Sequence, residues 1–317
     1  MAVLTSRVGT LSFRNPFLLA SGVWGESGES LLGAWRAGAG GAVTKSIGAE
    51  PRPGYPNPTI EEYGRWGLLN AMGLPNPGIR QYPKEIAIAR EAGVPLLGSI
   101  FGQDAREFSE LAVAMARTGV LGLELNLSCP HAEGLGSEIG QDPALVGEIT
   151  HAVKQAVAIP VWVKITPNTA DPAEIALAAE AAGADAITAI NTVRGLAIDP
   201  ELGRPVLAHG TGGLSGPAIK PVGLACVWKI AEKVRIPIVG VGGIVSARDA
   251  LEYLLAGASA VQIGTAVAFE GIGLFGRWPG ELGLLLDRLG YPSVSDAVGR
   301  AHAPTVPAPP SPGRPNH

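Results

Sequence analysis

Short apolar runs alternate along this chain with longer, alanine-rich stretches of helical periodicity. Eight apolar runs predict β-strands, at 16–21, 41–46, 96–102, 121–128, 161–167, 186–192, 237–243 and 260–266. The stretches between them predict helices near 28–38, 79–92, 104–118, 142–158, 172–182, 217–234, 246–256 and 269–289. This alternation predicts a parallel sheet with helical crossovers, and strands that are apolar throughout are typical of a sheet buried on both faces.

The number of repeating units favours a closed barrel. Eight strand–helix units in a chain of this length predict an α/β protein with the (β/α)8 TIM barrel fold. The alternative, a doubly wound open sheet, would place its glycines after the first strand and would not need eight near-equal units. Insertions at 47–78, 129–141 and 193–216 all follow strands. In a barrel they would lie on the C-terminal face, where barrel enzymes hold their active sites.

The composition mainly excludes classes of function and of binding partner. The 317 residues carry a net charge of −4, which gives no basic surface for nucleic acid or for an anionic membrane. Two distant cysteines form no disulfide framework, metal site or iron–sulfur set, and they predict a reducing cytoplasmic location. No signal peptide is apparent, and no apolar run reaches membrane-spanning length. We expect residues 1–302 to form the barrel and the proline-rich stretch 303–317 to be a disordered tail.

The end of the fourth predicted strand carries the most conspicuous polar group of the chain. Asn126-Leu127-Ser128-Cys129-Pro130 presents an amide, a hydroxyl and a thiol at the start of a glycine-rich loop. We interpret Cys129 as a catalytic base or nucleophile, because catalytic groups usually lie at loop edges. The alternative is a small buried thiol. His131 follows on the same loop, but no protease motif surrounds the pair, so a substrate contact is the better interpretation.

Other strand ends carry glycines, lysines and amides. Gly240-Val241-Gly242-Gly243 follows the seventh strand and Gly264-Thr265 follows the eighth, the two loops that form a phosphate site in many barrels. Lys45 and Lys164 end apolar strands, where the choices are a core ion pair or an anionic ligand. Each asparagine alone is typical of a turn, but amides converging on one barrel mouth would suit a ring bearing C=O and N–H groups. These amides belong to Asn70, Asn126 and Asn191, the last followed by Thr192.

With these residues placed, the chain resembles the class 1 dihydroorotate dehydrogenases. The resemblance covers nearly everything from about Leu11 to Gly271. It is carried by Leu19-Ala20-Ser21-Gly22, Thr44-Lys45-Ser46, Asn70-Ala71-Met72-Gly73-Leu74-Pro75-Asn76, Asn126-Leu127-Ser128-Cys129-Pro130, Val163-Lys164-Ile165-Thr166-Pro167-Asn168, Ile190-Asn191-Thr192, Gly212-Gly213-Leu214-Ser215-Gly216, Gly242-Gly243-Ile244 and Gly264-Thr265. A cysteine at position 129 marks the soluble class, since the membrane-associated class has serine there and an N-terminal extension.

The resemblance implies an FMN-binding barrel that oxidises dihydroorotate to orotate in pyrimidine biosynthesis. Cys129 would remove the C5 proton and FMN would accept hydride from C6. The substrate would be held by Lys45, Asn70, Ala71, Met72, Gly73, Leu74, Asn126, Asn191 and Thr192. FMN would be held by Ser21, Lys45, Ser46, Asn126, Lys164, Ile190, Gly216, Gly242, Gly243, Gly264 and Thr265. A cation at Lys164 would stabilise the anionic reduced ring.

Two departures and three open choices accompany the resemblance. His131 stands where family members commonly have Asn, and Ser99 stands where they often have Asn. The loop after Cys129 also resembles dihydropyrimidine dehydrogenase, so uracil or thymine is the alternative substrate class. A non-catalytic FMN-binding barrel is a further alternative. We expect this chain to form a homodimer. Soluble members of the family reduce fumarate or pass electrons to a second subunit carrying FAD and an iron–sulfur cluster. The motifs favour the partnered type.

Overall fold

A computed structural model describes residues 1–127 and 139–303 of the chain. Within these residues the strands are β1 Ser6–Val8, β2 Leu11–Phe13, β3 Phe17–Leu19, β4 Gly41–Val43, β5 Ile60–Glu62, β6 Leu68–Asn70, β7 Leu96–Ile100, β8 Gly122–Asn126, β9 Val161–Ile165, β10 Ala186–Ala189, β11 Val193–Gly195, β12 Ile198–Asp199, β13 Arg204–Pro205, β14 Gly212–Ser215, β15 Ile238–Val241 and β16 Ala258–Ile263.

Eight of these strands form a closed parallel barrel. Their order around the barrel follows the chain, β3-β4-β7-β8-β9-β10-β15-β16, and pairing of Val261 with Phe17 closes the last strand against the first. Every barrel strand lies at one of the eight predicted positions. The predicted (β/α)8 fold is therefore confirmed, and the open-sheet alternative is wrong because an open sheet would leave two unpaired edges.

The helices that cover the barrel begin at the side-chain caps that the sequence supplies. Asp142, Asp171 and Ser246 each accept hydrogen bonds from backbone N–H groups of the first helical turn. The helices are α1 Gly28–Ala37, α2 Pro83–Glu91, α3 Ala105–Ala116, α4 Pro143–Ala156, α5 Pro172–Ala181, α6 Lys220–Ala231, α7 Ala247–Leu255, α8 Thr265–Glu270, α9 Leu274–Leu289 and α10 Val294–Ala297. Within the described ranges, none is long and apolar enough to cross a membrane.

The last predicted helix, 269–289, is wrong in one respect. The structure has two helices there, α8 and α9, because Gly271 adopts a left-handed φ of 73° that interrupts the helical hydrogen bonding. The predicted strand 260–266 also runs too far, since β16 ends at Ile263 and α8 begins at Thr265. Thr265 therefore lies at the start of a helix and still faces the barrel mouth.

A hairpin that the apolar pattern did not predict closes the opposite end of the barrel. β1 and β2 pair antiparallel around Gly9, which has a φ of 59°. Phe13 of this hairpin packs edge-on against Trp162 at 6.2 Å, within a cluster of buried side chains from the barrel interior. With this end filled by apolar groups, ligands can reach the barrel interior only from the carboxyl ends of the strands.

Two of the predicted insertions form one small sheet. Strands β5 and β6 from 47–78 pair with β14 and β11 from 193–216 in the order β11-β14-β6-β5. Register pairs such as Gly213 with Asn70 join segments that are far apart in the chain. The third insertion, 129–141, lies outside the described residues up to position 138, as does the predicted tail beyond Ala303. The domain boundary at 302 stays a prediction.

Candidate active site

A cavity of about 530 Å³ opens at the carboxyl ends of the barrel strands. Most of the residues predicted from the sequence meet there, although they come from segments spread over the whole chain. The predicted residues that line it are Ser21, Lys45, Ser46, Asn70, Met72, Leu74, Asn126, Lys164, Ile190, Asn191, Thr192, Gly216, Gly242, Gly243, Gly264 and Thr265. Its volume suits a flat ligand of drug size or larger.

Two predicted residues within the described part of the chain do not line this cavity. Ala71 is buried beside it and borders a smaller polar pocket of about 210 Å³. Gly73 has a φ of 72°, and a Cβ there would lie 2.7 Å from the Tyr55 nitrogen, so its contribution is to the shape of the loop. Cys129 lies outside the described residues, as does His131. Strand β8, which ends at Asn126, brings the chain to the cavity just before them.

The loop after β15 begins with two glycines whose backbone conformations disfavour other residues. Gly242 and Gly243 have φ values of 121° and 69°, and a Cβ on Gly243 would lie 2.6 Å from the Lys220 backbone nitrogen. Burial raises the pKa of Tyr253 far above its usual range, so its hydroxyl stays protonated and donates to the Gly242 carbonyl oxygen at 2.7 Å. The loop is therefore a fixed backbone surface that a ligand can approach closely.

A partly buried ion pair anchors the same loop from behind. Lys220 Nζ contacts Asp249 Oδ1 at 2.6 Å and Glu252 Oε2 at 3.0 Å. Burial alone would lower the pKa of Lys220, but hydrogen bonds to these two carboxylates and their charges raise it overall. The other oxygen of Asp249 accepts from the Val245 amide and from the Ser246 hydroxyl. The loop is thereby tied to both α6 and α7.

Lys164 lies in a fully buried polar cluster inside the barrel. Its ammonium is 3.4 Å from Glu124 Oε1 and 3.4 Å from Gln262 Oε1. Gln262 Nε2 and the Thr188 hydroxyl both donate to Glu124 Oε2. Glu124 is 0% exposed and Lys164 is 6% exposed. The lysine thus reaches the cavity with its position fixed from below.

Lys45 reaches the opposite part of the cavity with a different partner. It is also 6% exposed, and its Nζ contacts Glu26 Oε1 at 2.9 Å. The Glu26 side chain is 66% exposed and lies on the cavity rim. The two predicted cations are therefore both paired, one with a buried carboxylate and one with an exposed carboxylate.

A chain of hydrogen bonds crosses the cavity floor between the two lysines. Asn191 Nδ2 donates to Asn126 Oδ1 at 3.1 Å, and Asn126 Nδ2 donates to Ser46 Oγ at 3.1 Å. Ser46 also bonds the hydroxyls of Ser21 at 3.2 Å and Ser99 at 2.9 Å. Ser99 is fully buried, so it supports Ser46 from below. These bonds fix the orientation of the two side-chain amides, that is, the directions in which their oxygen and nitrogen atoms point.

The sequence interpretation missed Glu26, Glu124 and Gln262. Two of them had a visible pattern, since Glu124 and Gln262 each interrupt an apolar strand, Leu121–Leu125 and Val261–Ile263. A charged or amide side chain inside such a strand needs a buried partner. Glu26 had no such pattern, because it lies in a polar loop among Gly and Ser residues.

Comparison with known proteins agrees with this geometry. The family described as Dihydroorotate dehydrogenase matches residues 3–286. A protein of Methanocella arvoryzae named "Dihydroorotate dehydrogenase B (NAD(+)), catalytic subunit" is 48% identical over 299 residues, covering 94% of this chain and 98% of the relative. The protein of the same name from Pyrococcus furiosus is 49% identical over 291 residues, covering 92% of this chain and 96% of the relative.

These matches extend over nearly the whole chain and over nearly the whole of each relative, so they concern the complete barrel. The family predicted from the sequence motifs is confirmed, and the chain belongs to the dihydroorotate dehydrogenase family.

Proposed function

We propose that this chain is the flavin-dependent catalytic subunit that oxidises dihydroorotate to orotate in pyrimidine biosynthesis. One observation carries the proposal: the carboxyl ends of six or more barrel strands and the loops after them bring two lysines, three asparagines and a glycine turn to one cavity. This set suits a ligand pair made of a phosphorylated flavin and a ring that bears amides and a carboxylate. The comparisons do not favour dihydropyrimidine dehydrogenase as the alternative.

FMN is the flavin that the cavity fits. The fit test is the turn at Gly242 and Gly243, where an added Cβ on Gly243 would lie 2.6 Å from the Lys220 backbone nitrogen. Packing thus restricts Gly243 to glycine, and a turn without side chains leaves backbone N–H groups that a phosphate can approach. The residues that would hold the cofactor are Ser21, Lys45, Ser46, Asn126, Lys164, Ile190, Gly216, Gly242, Gly243, Gly264 and Thr265. When bound, the flavin supplies the two-electron acceptor for hydride from C6 of the substrate.

The substrate would lie between the amide chain and the insertion sheet. Asn126 and Asn191 are pre-oriented by their mutual hydrogen bond, and Asn70 is held by donation to the Gly213 carbonyl oxygen at 3.1 Å. These three amides, with Thr192 and the 71–74 loop, would bind the ring C=O and N–H groups. Lys45 would bind the carboxylate. Orientation fixed in advance lowers the entropy lost on binding and raises the rate of the chemical step.

Cys129 would remove the C5 proton as a thiolate. It follows Asn126 by three residues, and Asn126 lines the cavity, so a short loop can bring the thiol to the substrate face. Thiolates are good bases, and cationic side chains nearby stabilise them. Cys226, by contrast, lies buried within α6, and burial raises the pKa of its thiol to about 11. It is unsuited to act as a base at neutral pH.

A partner subunit would take the electrons onward. The relatives carry "B (NAD(+)), catalytic subunit" in their names. The chain has two cysteines, too few to hold an iron–sulfur cluster of its own. We infer a second subunit with FAD and an iron–sulfur cluster that reduces NAD⁺, and a homodimer of the catalytic chain in the cytoplasm.

The test is anaerobic reduction of the purified yellow protein. Dihydroorotate should bleach the flavin much faster than dihydrouracil or dihydrothymine. Reoxidation should then be slow with fumarate and should reach NAD⁺ only after the partner subunit is added. Faster bleaching by dihydrouracil would overturn the substrate assignment, and bleaching by none of the three would favour a non-catalytic flavin barrel.

The role of Cys129 has its own test with a matched control. Cys129→Ala should slow flavin reduction by about 10²–10⁴-fold, the usual contribution of a general base, with little change in orotate affinity. Cys226→Ala should leave the reduction rate unchanged. Equal reduction rates for Cys129→Ala and the parent would refute the assignment.

A further inference from the structure

Glu26 lies over Lys45 because its loop is fixed by the backbone on each side. The Gly25 carbonyl oxygen accepts from the Lys45 amide at 2.9 Å and from the buried Tyr82 hydroxyl at 2.9 Å. A Cβ on Gly25 would lie 2.9 Å from the Val43 carbonyl oxygen, so the loop packs directly on the end of β4. Ser27 then caps α1. The backbone of Glu26 is thereby held beside Lys45.

The two members of the ion pair differ in what they lose when it breaks. Lys45 is 6% exposed, so its charge would be poorly solvated without a partner. The Glu26 side chain is 66% exposed and can turn into solvent at little cost. Among the described residues, Glu26 carries the one carboxylate within 4 Å of Lys45 Nζ. Any second carboxylate that binds Lys45 must therefore compete with Glu26.

We propose that Glu26 determines specificity and affinity for the carboxylate of the ligand, as a resident counter-ion of Lys45 that the incoming carboxylate displaces. This inference rests on the proposed function, since orotate and dihydroorotate carry a carboxylate and uracil does not. The resident carboxylate stabilises the free enzyme and weakens binding of anionic substrate and product alike. It therefore favours release of orotate after turnover. A neutral pyrimidine leaves the pair intact.

The test compares Glu26→Gln with Glu29→Gln in the flavin-loaded protein. Glu29 is exposed, lies three residues further along in α1, and forms no ion pair within the described residues, so it controls for the change in net charge. Orotate and uracil are titrated by the change in flavin absorbance. We expect Glu26→Gln to bind orotate about three- to tenfold more tightly, a gain typical of removing one competing ion pair. Uracil affinity should not change, and Glu29→Gln should match the parent.

The sign of the effect separates this role from a structural one. A damaged loop would weaken ligand binding, whereas loss of a competitor strengthens it for the carboxylate ligand alone. In turnover, KM for dihydroorotate should fall while kcat stays level or falls. Unchanged or weaker orotate binding, or equal tightening for uracil, would overturn the inference. Glu26→Ala provides a second variant should the amide form new hydrogen bonds. A parent protein that binds no orotate would instead refute the proposed function.

Discussion

The two lysines at the barrel mouth are equally buried, but the glutamates that pair with them differ in exposure. Lys45 and Lys164 are each 6% exposed and each pairs with a glutamate. Lys164 pairs with Glu124, which is 0% exposed and is itself held by Gln262 and Thr188. Lys45 pairs with Glu26, whose side chain is 66% exposed.

The difference shows that the exposure of the carboxylate partner, and not the burial of the lysine, determines whether a ligand can displace that partner. A carboxylate fixed on all sides cannot leave without exposing an uncompensated charge, so Lys164 is a permanent cation suited to a permanent cofactor. A carboxylate on the surface can leave freely, so Lys45 is suited to a ligand that binds and departs in every turnover.

Removing each glutamate tests this contrast most strongly. Glu124→Ala leaves Lys164 buried and unpaired and also leaves a void, so the free energy of unfolding should fall by about 3–5 kcal/mol. Glu26→Ala also leaves Lys45 without its counter-ion, but it removes an exposed side chain and leaves no void, so the free energy of unfolding should fall by less, about 1 kcal/mol. Urea unfolding of the flavin-loaded and flavin-stripped proteins measures both. If both variants lost the same free energy of unfolding, burial of the lysine alone, and not the exposure of its partner, would determine the cost of breaking each ion pair.

Removing each lysine should separate the two ligands. Lys164→Ala should lower flavin content after dialysis or slow flavin reduction, whereas Lys45→Ala, at a residue that would contact both ligands, should mainly lose orotate affinity and lose less of the flavin. A hydrogen bond to a charged group contributes about 1.5–3 kcal/mol, so each affinity should fall by about 10- to 100-fold. Absorbance of bound flavin and orotate titration measure the two losses. Comparable loss of flavin in both variants would contradict the division of labour.

The amide chain between the lysines should have a smaller effect. Asn191→Ala removes the donor that orients Asn126, and we expect orotate affinity to fall by about five- to tenfold, near 1 kcal/mol, while flavin content holds. Gln103→Ala, which removes an exposed amide, is the matched control. If Asn191→Ala binds orotate as tightly as the parent and the control do, the hydrogen bond between Asn191 and Asn126 does not contribute to substrate binding.

The smallest effect concerns the Cys226 thiol, whose pKa is shifted mainly by burial. Burial raises the pKa of the Cys226 thiol from 9.0 to about 11, so the unfolded chain releases this proton first as pH rises. The contribution of this group is complete below pH 9 and is lost between about pH 9 and 11. Between pH 7 and pH 9.5 the free energy of unfolding of the parent should fall by about 0.8 kcal/mol more than that of Cys226→Ala. Parallel stability curves for the two proteins across this pH window would contradict the shift.

The sequence by itself determined the barrel and the composition of its mouth. Each barrel strand corresponds to a local apolar run, and residues of the barrel mouth such as Lys45, Asn126 and Gly242 lie where such a run ends. In a parallel barrel all those ends meet on one face, so local pattern alone brings distant residues together. The motifs around Cys129 identified the family for the same reason, although that residue lies outside the described part of the chain.

Only the tertiary structure decided how these groups are paired. The Glu124–Gln262 contact joins positions 138 residues apart, and the bond from Asn70 to Gly213 spans 143. The strands of the hairpin, Ser6–Val8 and Leu11–Phe13, and of the insertion sheet are three or four residues long, too short to show a period. Pairing of this kind depends on strand register and on which side chains share a layer of the barrel. Neither property can be read from a short stretch of sequence. Both decide whether a lysine is paired with a buried carboxylate that stays or with an exposed one that a ligand can replace.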